Sequence, residues 1–239
     1  MEPIFLYDTT LRDGTQGENV SFSADEKVKI AERLDSLGIH YIEGGWPGSN
    51  PKDIQFFDMA RRVKFRQARL ASFGATRKPG ISPEDDANLK ALLGTHTPVM
   101  TIFGKSWDLH VEKIMENTLS ENLAMISESI EYLKGKHKEV IYDAEHFFDG
   151  FKENSDYAYR TISGAIEAGA DTIVFCDTNG GTLPFEVESI IQEIFERIEK
   201  DRAFSTDGSR PKFGIHTHND CGLAVANSIT AIRLGLTMV

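Results

Sequence analysis

The sequence predicts a (β/α)8 barrel, and three observations carry that prediction. Short apolar runs begin about every 25 to 40 residues, the spacing of successive βα units, and the stretches between them carry helix signals. Reactive polar residues follow the carboxyl ends of many of these runs: Asp8 and Asp13 the first, Glu43 the second, Glu145 the fifth, Asp177 the sixth, His216 and His218 the seventh. Only a closed sheet brings such residues to one centre, because an open sheet strings them along an edge. The chain's 239 residues suit one such domain, and no Pro/Gly/Ser-rich linker, low-complexity tract or charge block divides it. One catalytic domain over residues 1–239 is therefore expected.

The strands read as Ile4–Tyr7, Ile39–Ile42, Leu70–Phe73, Val99–Phe103, Val140–Tyr142, Thr172–Cys176 and Phe213–His216, with an eighth beginning at Leu236–Val239. Ser23 with Glu26 three residues on forms a capping box, and Gly38 closes the helix that follows. Ser82-Pro83 is expected to open a helix that Gly94 closes; another runs from Ser155 to Gly169, and Pro184 sits at a first helical turn. Between Ser106 and Gly135 the pattern predicts a short helix and then a second from Ser120.

A net charge of −11 argues against nucleic acid or an anionic membrane as partner, since both select a basic surface. No apolar run reaches membrane-spanning length, and Met1-Glu2-Pro3 leads into a strand without a targeting pattern, so a cytoplasmic location is expected. Cys176 and Cys221 each neighbour a candidate site residue, and two reduced thiols are expected rather than a disulfide. Neither Gly-x-Gly-x-x-Gly nor Gly-x-x-x-x-Gly-Lys occurs after a strand, which removes support for nucleotide folds.

The chemistry centres on Leu11-Arg12-Asp13-Gly14-Thr15-Gln16 and His216-Thr217-His218-Asn219-Asp220. Residues two apart in a strand share a face, so His216 and His218 can both face the barrel mouth. Two imidazoles and the Asp13 carboxylate leave positions open on a divalent ion, which suits Mn2+, Mg2+, Fe2+ or Co2+ better than a closed structural zinc site. Arg12 is a candidate cation for a developing oxyanion. Glu145 is a candidate acid/base group, and Glu43 either acts on substrate or holds Arg12, the supporting role being the expected one. Asp177-Thr178-Asn179-Gly180-Gly181 offers a hydroxyl and a turn suited to a small carboxylate.

Leu11-Arg12-Asp13-Gly14-x-Gln16, then Lys27, together with Phe213-x-x-His216-x-His218-Asn219-Asp220-x-Gly222-x-Ala224, resembles both signature motifs of the α-isopropylmalate and homocitrate synthase family. The segments Glu43–Asp53 and Asp143–Gly150 are most similar to its citramalate synthase branch. The resemblance implies a TIM-barrel acyltransferase of branched-chain amino-acid biosynthesis that condenses acetyl-CoA with a 2-keto acid, pyruvate in this branch, and hydrolyses the thioester to (R)-citramalate and CoA. It implies Asp13, His216 and His218 as ligands of Mn2+ or Mg2+, with Zn2+ or Co2+ as alternatives. Catalytic roles fall to Arg12, Glu145 and Glu43, and substrate contacts to Arg12, Gln16, Thr178 and Tyr142, the last limiting the keto acid to a methyl group. A homodimer is the family's common state. The alternatives are an isopropylmalate or homocitrate synthase, a related lyase, or a non-catalytic sensing barrel.

Family members carry a Gly-Asn-rich loop after the eighth strand that contributes an asparagine to the metal site. The chain stops at Val239 as that strand begins. The expectation is a fragment with an open seam, weak metal binding and low activity on its own.

Overall fold

The computed structural model describes residues 3–201 and 210–239. Among the described residues, seven parallel strands pair in chain order: β1 (Tyr7–Asp8), β2 (Tyr41–Glu43), β3 (Arg69–Ala75), β4 (Val99–Lys105), β5 (Glu139–Glu145), β6 (Thr172–Asp177) and β7 (Lys212–Thr217). Tyr41, Ala71, Val99, Ile141, Val174 and Met238, contributed by β2 to β6 and the chain's last residues, form one buried cluster. Such a cluster requires the sheet to curl on itself. The fold is the expected parallel barrel, extending to the start of its eighth strand.

The expected open seam is bridged. Phe5 N donates to Thr237 O at 2.7 Å and Tyr7 N to Val239 O at 2.8 Å, while on the other side Ile215 N donates to Met238 O at 3.0 Å. Residues 237–239 thus satisfy backbone groups of both flanking strands, which an exposed edge would leave to water. Strand β1 is shorter than predicted, with Phe5 joined to Met238 by an isolated bridge.

Helices α1 (Ala24–Ser36), α2 (Pro51–Ala60), α3 (Ala87–Gly94), α4 (Leu119–Gly135), α5 (Phe147–Glu153), α6 (Ser155–Glu167), α7 (Pro184–Asp201) and α8 (Ala224–Arg233) accompany the strands. The capping box at α1 forms as predicted: Glu26 N donates to Ser23 Oγ, and Ser23 N to Glu26 Oε2. Gly38 follows the helix at φ +92°, a conformation that costs a glycine little. Three helix expectations need correction. The α3 helix begins at Ala87 because Asp86 Oδ1 accepts from Leu89 N, while Ser82 instead ties a preceding turn through Asp85. Helix α4 is capped by Thr118 rather than starting at Ser120, and the short element before it is one π-helical turn, His110–Ile114. Helices α2, α5 and α8 are not among those the sequence signals predict, although Asn50-Pro51 is a cap followed by a first-turn proline.

The largest apolar cluster lies between the outer face of the sheet and the helices, with Tyr142, Ala144, Phe147, Phe148 and Phe175 among its fully buried members. This layer fixes the strand faces. Tyr142 points outward into it, so its neighbours Ile141 and Asp143 point into the barrel.

Candidate metal centre and active site

The mouth of the barrel holds a cavity of about 180 Å3 bordered by Arg12, Asp13, Glu145, Thr178, His216 and His218, with Gln16, Asp143 and Cys176 also on its wall. Three loops and three strands, distant in sequence, meet there. Asp13 Oδ2 lies 3.4 Å from His216 Nε2 and 3.3 Å from His218 Nε2. One ligand atom from each of these three residues lies within 4.8 Å of the others, close enough to converge on one ion, and all three side chains are partly open to the cavity. Hydrogen bonds from His216 and His218 hold the Asp13 carboxyl well below the usual range. Burial pushes the His216 imidazolium down, but hydrogen bonds to Asp13 and Asp143 outweigh it and lift the group to about 9. A site that draws a proton onto His216 is one that a cation can fill in its place.

Arg12 is held from two sides. Its Nε donates to Glu43 Oε1 at 2.5 Å, and its guanidinium lies over the Phe73 ring at 3.8 Å. Burial disfavours the Arg12 charge, but Glu43 and Asp13 overcome that cost and keep its pKa above the ordinary value. Glu43 is fully buried and accepts a second hydrogen bond from the Tyr7 hydroxyl at 2.6 Å. Both of its oxygens are spoken for within the protein.

Glu145 ends β5 on the barrel's inner face and pairs with Lys105, the last residue of β4. Thr178 Oγ1 accepts from His146 N at 2.9 Å, leaving its own hydrogen to donate. Gln16 reaches the cavity from the turn that follows Asp13.

Tyr142 does not line the cavity, which corrects the expectation that it touches the keto acid. It is fully buried on the helix side of β5, one residue out of phase with Asp143 and Glu145. The aromatic wall of the cavity is instead Trp46, Phe73 and Phe103, with the Trp46 ring edge-on to both phenylalanines at 5.8 Å and 5.5 Å.

Sequence reasoning missed Asp143, Lys105 and the support of Trp46. Asp143 Oδ2 lies 3.8 Å from His216 Nδ1, and the alternation Tyr142-Asp143-Ala144-Glu145 could have revealed it as sharing a face with Glu145. Trp46 N donates to Asp53 Oδ2 at 2.8 Å, and Asp53 is paired with Lys27, both nearly excluded from solvent. Gly45 sits at φ +147°, where a Cβ would fall within 2.7 Å of all three carboxyl atoms of Asp53. The lysine of the first motif therefore anchors the carboxylate that shapes the Gly45-Trp46 loop. Both cysteines are free, Cys176 buried and Cys221 exposed, as expected. Among the described residues, no helix is long and apolar enough to cross a membrane.

Comparison with known proteins follows the same lines. The chain is 52% identical over 239 residues to an (R)-citramalate synthase of Geobacter sulfurreducens, covering 100% of this chain and 43% of that protein. It is 30% identical over 239 residues to a 2-isopropylmalate synthase of Lysinibacillus sphaericus, covering 100% of this chain and 44% of that one. The chain thus spans about two fifths of the length of the curated relatives it matches. In fold it is similar to an HMG-CoA lyase of Bacillus subtilis, with a TM-score of 0.77 at 20% identity over 100% of this chain and 76% of that one. The HMGL-like family profile matches residues 3–239, and the chain belongs to that family.

Proposed function

We propose that the chain is the catalytic barrel of an enzyme that condenses acetyl-CoA with pyruvate and hydrolyses the thioester, releasing (R)-citramalate and CoA. The observation that carries this reading is the convergence of Arg12, Asp13, Glu145, His216 and His218 on one cavity of about 180 Å3. Keto-acid choice rests on the higher identity to a citramalate synthase, 52% against 30% for the isopropylmalate synthase.

The donor set fits a divalent ion, with Asp13, His216 and His218 as protein ligands and Mn2+ or Mg2+ as the expected occupant ahead of Zn2+ or Co2+. When bound, the ion supplies Lewis acidity toward the keto carbonyl and a point of chelation for the substrate. The protein's own residues do the rest. Arg12, fixed by Glu43 and Phe73, offsets negative charge as it develops on the ketone oxygen during attack by the acetyl carbon. Thr178 and Gln16 donate to the carboxylate and orient the keto acid. Glu145, paired with Lys105, moves the proton. Trp46, Phe73 and Phe103 form the apolar wall that accepts the methyl of pyruvate, and a wall of this kind discriminates by only about 1–3 kcal/mol per methylene. Homodimer assembly belongs to the same reading and rests on the family resemblance.

The test is CoA release from acetyl-CoA with Mn2+ or Mg2+ and pyruvate, 2-ketoisovalerate or 2-ketoglutarate, on this chain and on the protein at its full natural length. Pyruvate-dependent release that chelation and His218→Ala abolish is the expected result. Preference for another keto acid would change the substrate and keep the site, whereas no release with any of the three at full length would end the synthase reading.

A further inference from the structure

We propose that the barrel holds a second cation position, one layer below the mouth, formed by Asp143, Cys176 and His216 and suited to a soft divalent ion such as Zn2+ or Cd2+.

The position follows from register. Cys176 and His216 are pairing partners on adjacent parallel strands, so their side chains stand side by side on the same face. Asp143, whose partner on β6 is Val174, points to the same inner face from β5, and an oxygen of Asp143, Cys176 Sγ and a nitrogen of His216 all lie within 4.8 Å of one another. The His216 nitrogen facing Asp143 is Nδ1, at 3.8 Å, whereas Nε2 faces Asp13 at 3.4 Å. All three residues border the mouth cavity, which gives an ion a route in.

The two positions differ in chemistry. Asp13, His216 and His218 offer two imidazoles and a carboxylate, a set that accepts hard and borderline ions. The deeper set replaces one imidazole with a thiol, and thiolate selects soft cations. Three protein ligands with the fourth place open is a tetrahedral arrangement that Zn2+ adopts readily. The thiol proton leaves to solvent as the sulfur–metal bond forms, so binding releases a proton and involves no redox change.

The two positions also exclude one another. A neutral imidazole has one nitrogen lone pair free for a ligand, because the other nitrogen carries the proton. With the proton on Nδ1, directed at Asp143, Nε2 serves the mouth position; with the proton on Nε2, Nδ1 serves the deeper one. A soft ion at Cys176 therefore withdraws one of the three ligands of the mouth ion. This exclusion rests on the mouth metal site described above, whereas the deeper site itself does not.

The experiment titrates Co2+ into the full chain carrying Cys221→Ser, which removes the exposed thiol, and reads the near-ultraviolet thiolate-to-cobalt charge-transfer absorption. The band is expected in this background, retained when His218→Ala is added and lost when Cys176→Ser is added. The isosteric Asp143→Asn provides a second variant that weakens the band should the Cys176 variant fold poorly, with circular dichroism reporting the fold of each. In parallel, Zn2+ is expected to release bound Mn2+, followed by electron paramagnetic resonance, from the Cys221→Ser protein and far less from Cys176→Ser/Cys221→Ser. Absence of the band in the Cys221→Ser background, or a band of undiminished intensity when Asp143→Asn is added, overturns the deeper site. Failure of Mn2+ to bind at all, with the band present, would instead remove the mouth site and leave the deeper one standing.

Discussion

Arg12 Nε and Glu43 Oε1 stand 2.5 Å apart at the base of the mouth, joining the first βα loop to the end of β2 in an ion pair whose carboxylate has no solvent exposure. Removing one partner of such a pair leaves an uncompensated buried charge. Glu43→Ala is expected to lower unfolding free energy by about 3–5 kcal/mol in chemical denaturation. Glu43→Gln, which keeps the shape and can still meet Tyr7, is expected to cost less. Equal losses for the two would show that packing, and not charge, is what Glu43 contributes.

Asp143 faces the nitrogen of His216 that points away from Asp13, the place of an outer partner that orients a metal-ligating imidazole. Asp143→Asn is expected to weaken Mn2+ binding about 10–100-fold, read by isothermal titration. His218→Ala, which removes a ligand outright, is expected to weaken it further. The reverse ranking would reassign Asp143 as a direct ligand of the mouth ion.

With its folded pKa raised from 6.5 to about 9, His216 carries a proton at neutral pH in the metal-free protein. A raised pKa contributes stability that is fully present below the unfolded value and is lost as pH climbs through the folded one. Metal-free protein is therefore expected to lose stability between about pH 6.5 and 9. Metal uptake runs the other way: a protonated ring cannot ligate, so affinity rises with pH over the same window and a proton is released on binding. Calorimetry in buffers of different ionisation enthalpy measures that release, and its absence would place the proton elsewhere.

Lys27 and Asp53, two nearly buried charges, hold the loop that carries Trp46. Lys27→Met is expected to destabilise by about 3–5 kcal/mol, because Asp53 is left buried without its partner. Asp53→Asn should restore part of that loss in the double variant, since the amide oxygen can still accept from Trp46 N and no buried charge remains. Strict additivity of the two changes would argue against coupling through the ion pair.

The Tyr142 hydroxyl is buried against Gly104 on the helix side of β5, with no hydrogen-bond partner among the described residues. Tyr142→Phe is therefore expected to leave keto-acid preference unchanged and stability equal or slightly higher. Phe103→Ala, which opens the cavity wall, is expected to shift preference toward a larger keto acid. A change of preference in Tyr142→Phe would return that residue to the site.

Short-range signals in the sequence settled much of this protein. Apolar runs placed strands within a few residues of where they form, Ser23 with Glu26 marked the start of α1, and the spacing of His216 and His218 put both on one face, because such preferences act over one or two turns of chain. The cap at Thr118, the true start of α3 and the faces of β5 lay beyond that reach. A one-residue shift in phase exchanges Tyr142 for Asp143 on the barrel's inner face, and only the packing of Phe147, Phe148 and Phe175 on the other side decides it. The pairs that build the site behave the same way: Lys27 with Asp53 spans 26 residues, Arg12 with Glu43 31 and Lys105 with Glu145 40. Sequence named the candidate residues, since their chemistry belongs to the side chain; which partner each one meets was decided by strand register and barrel closure, which exist only once the chain has folded.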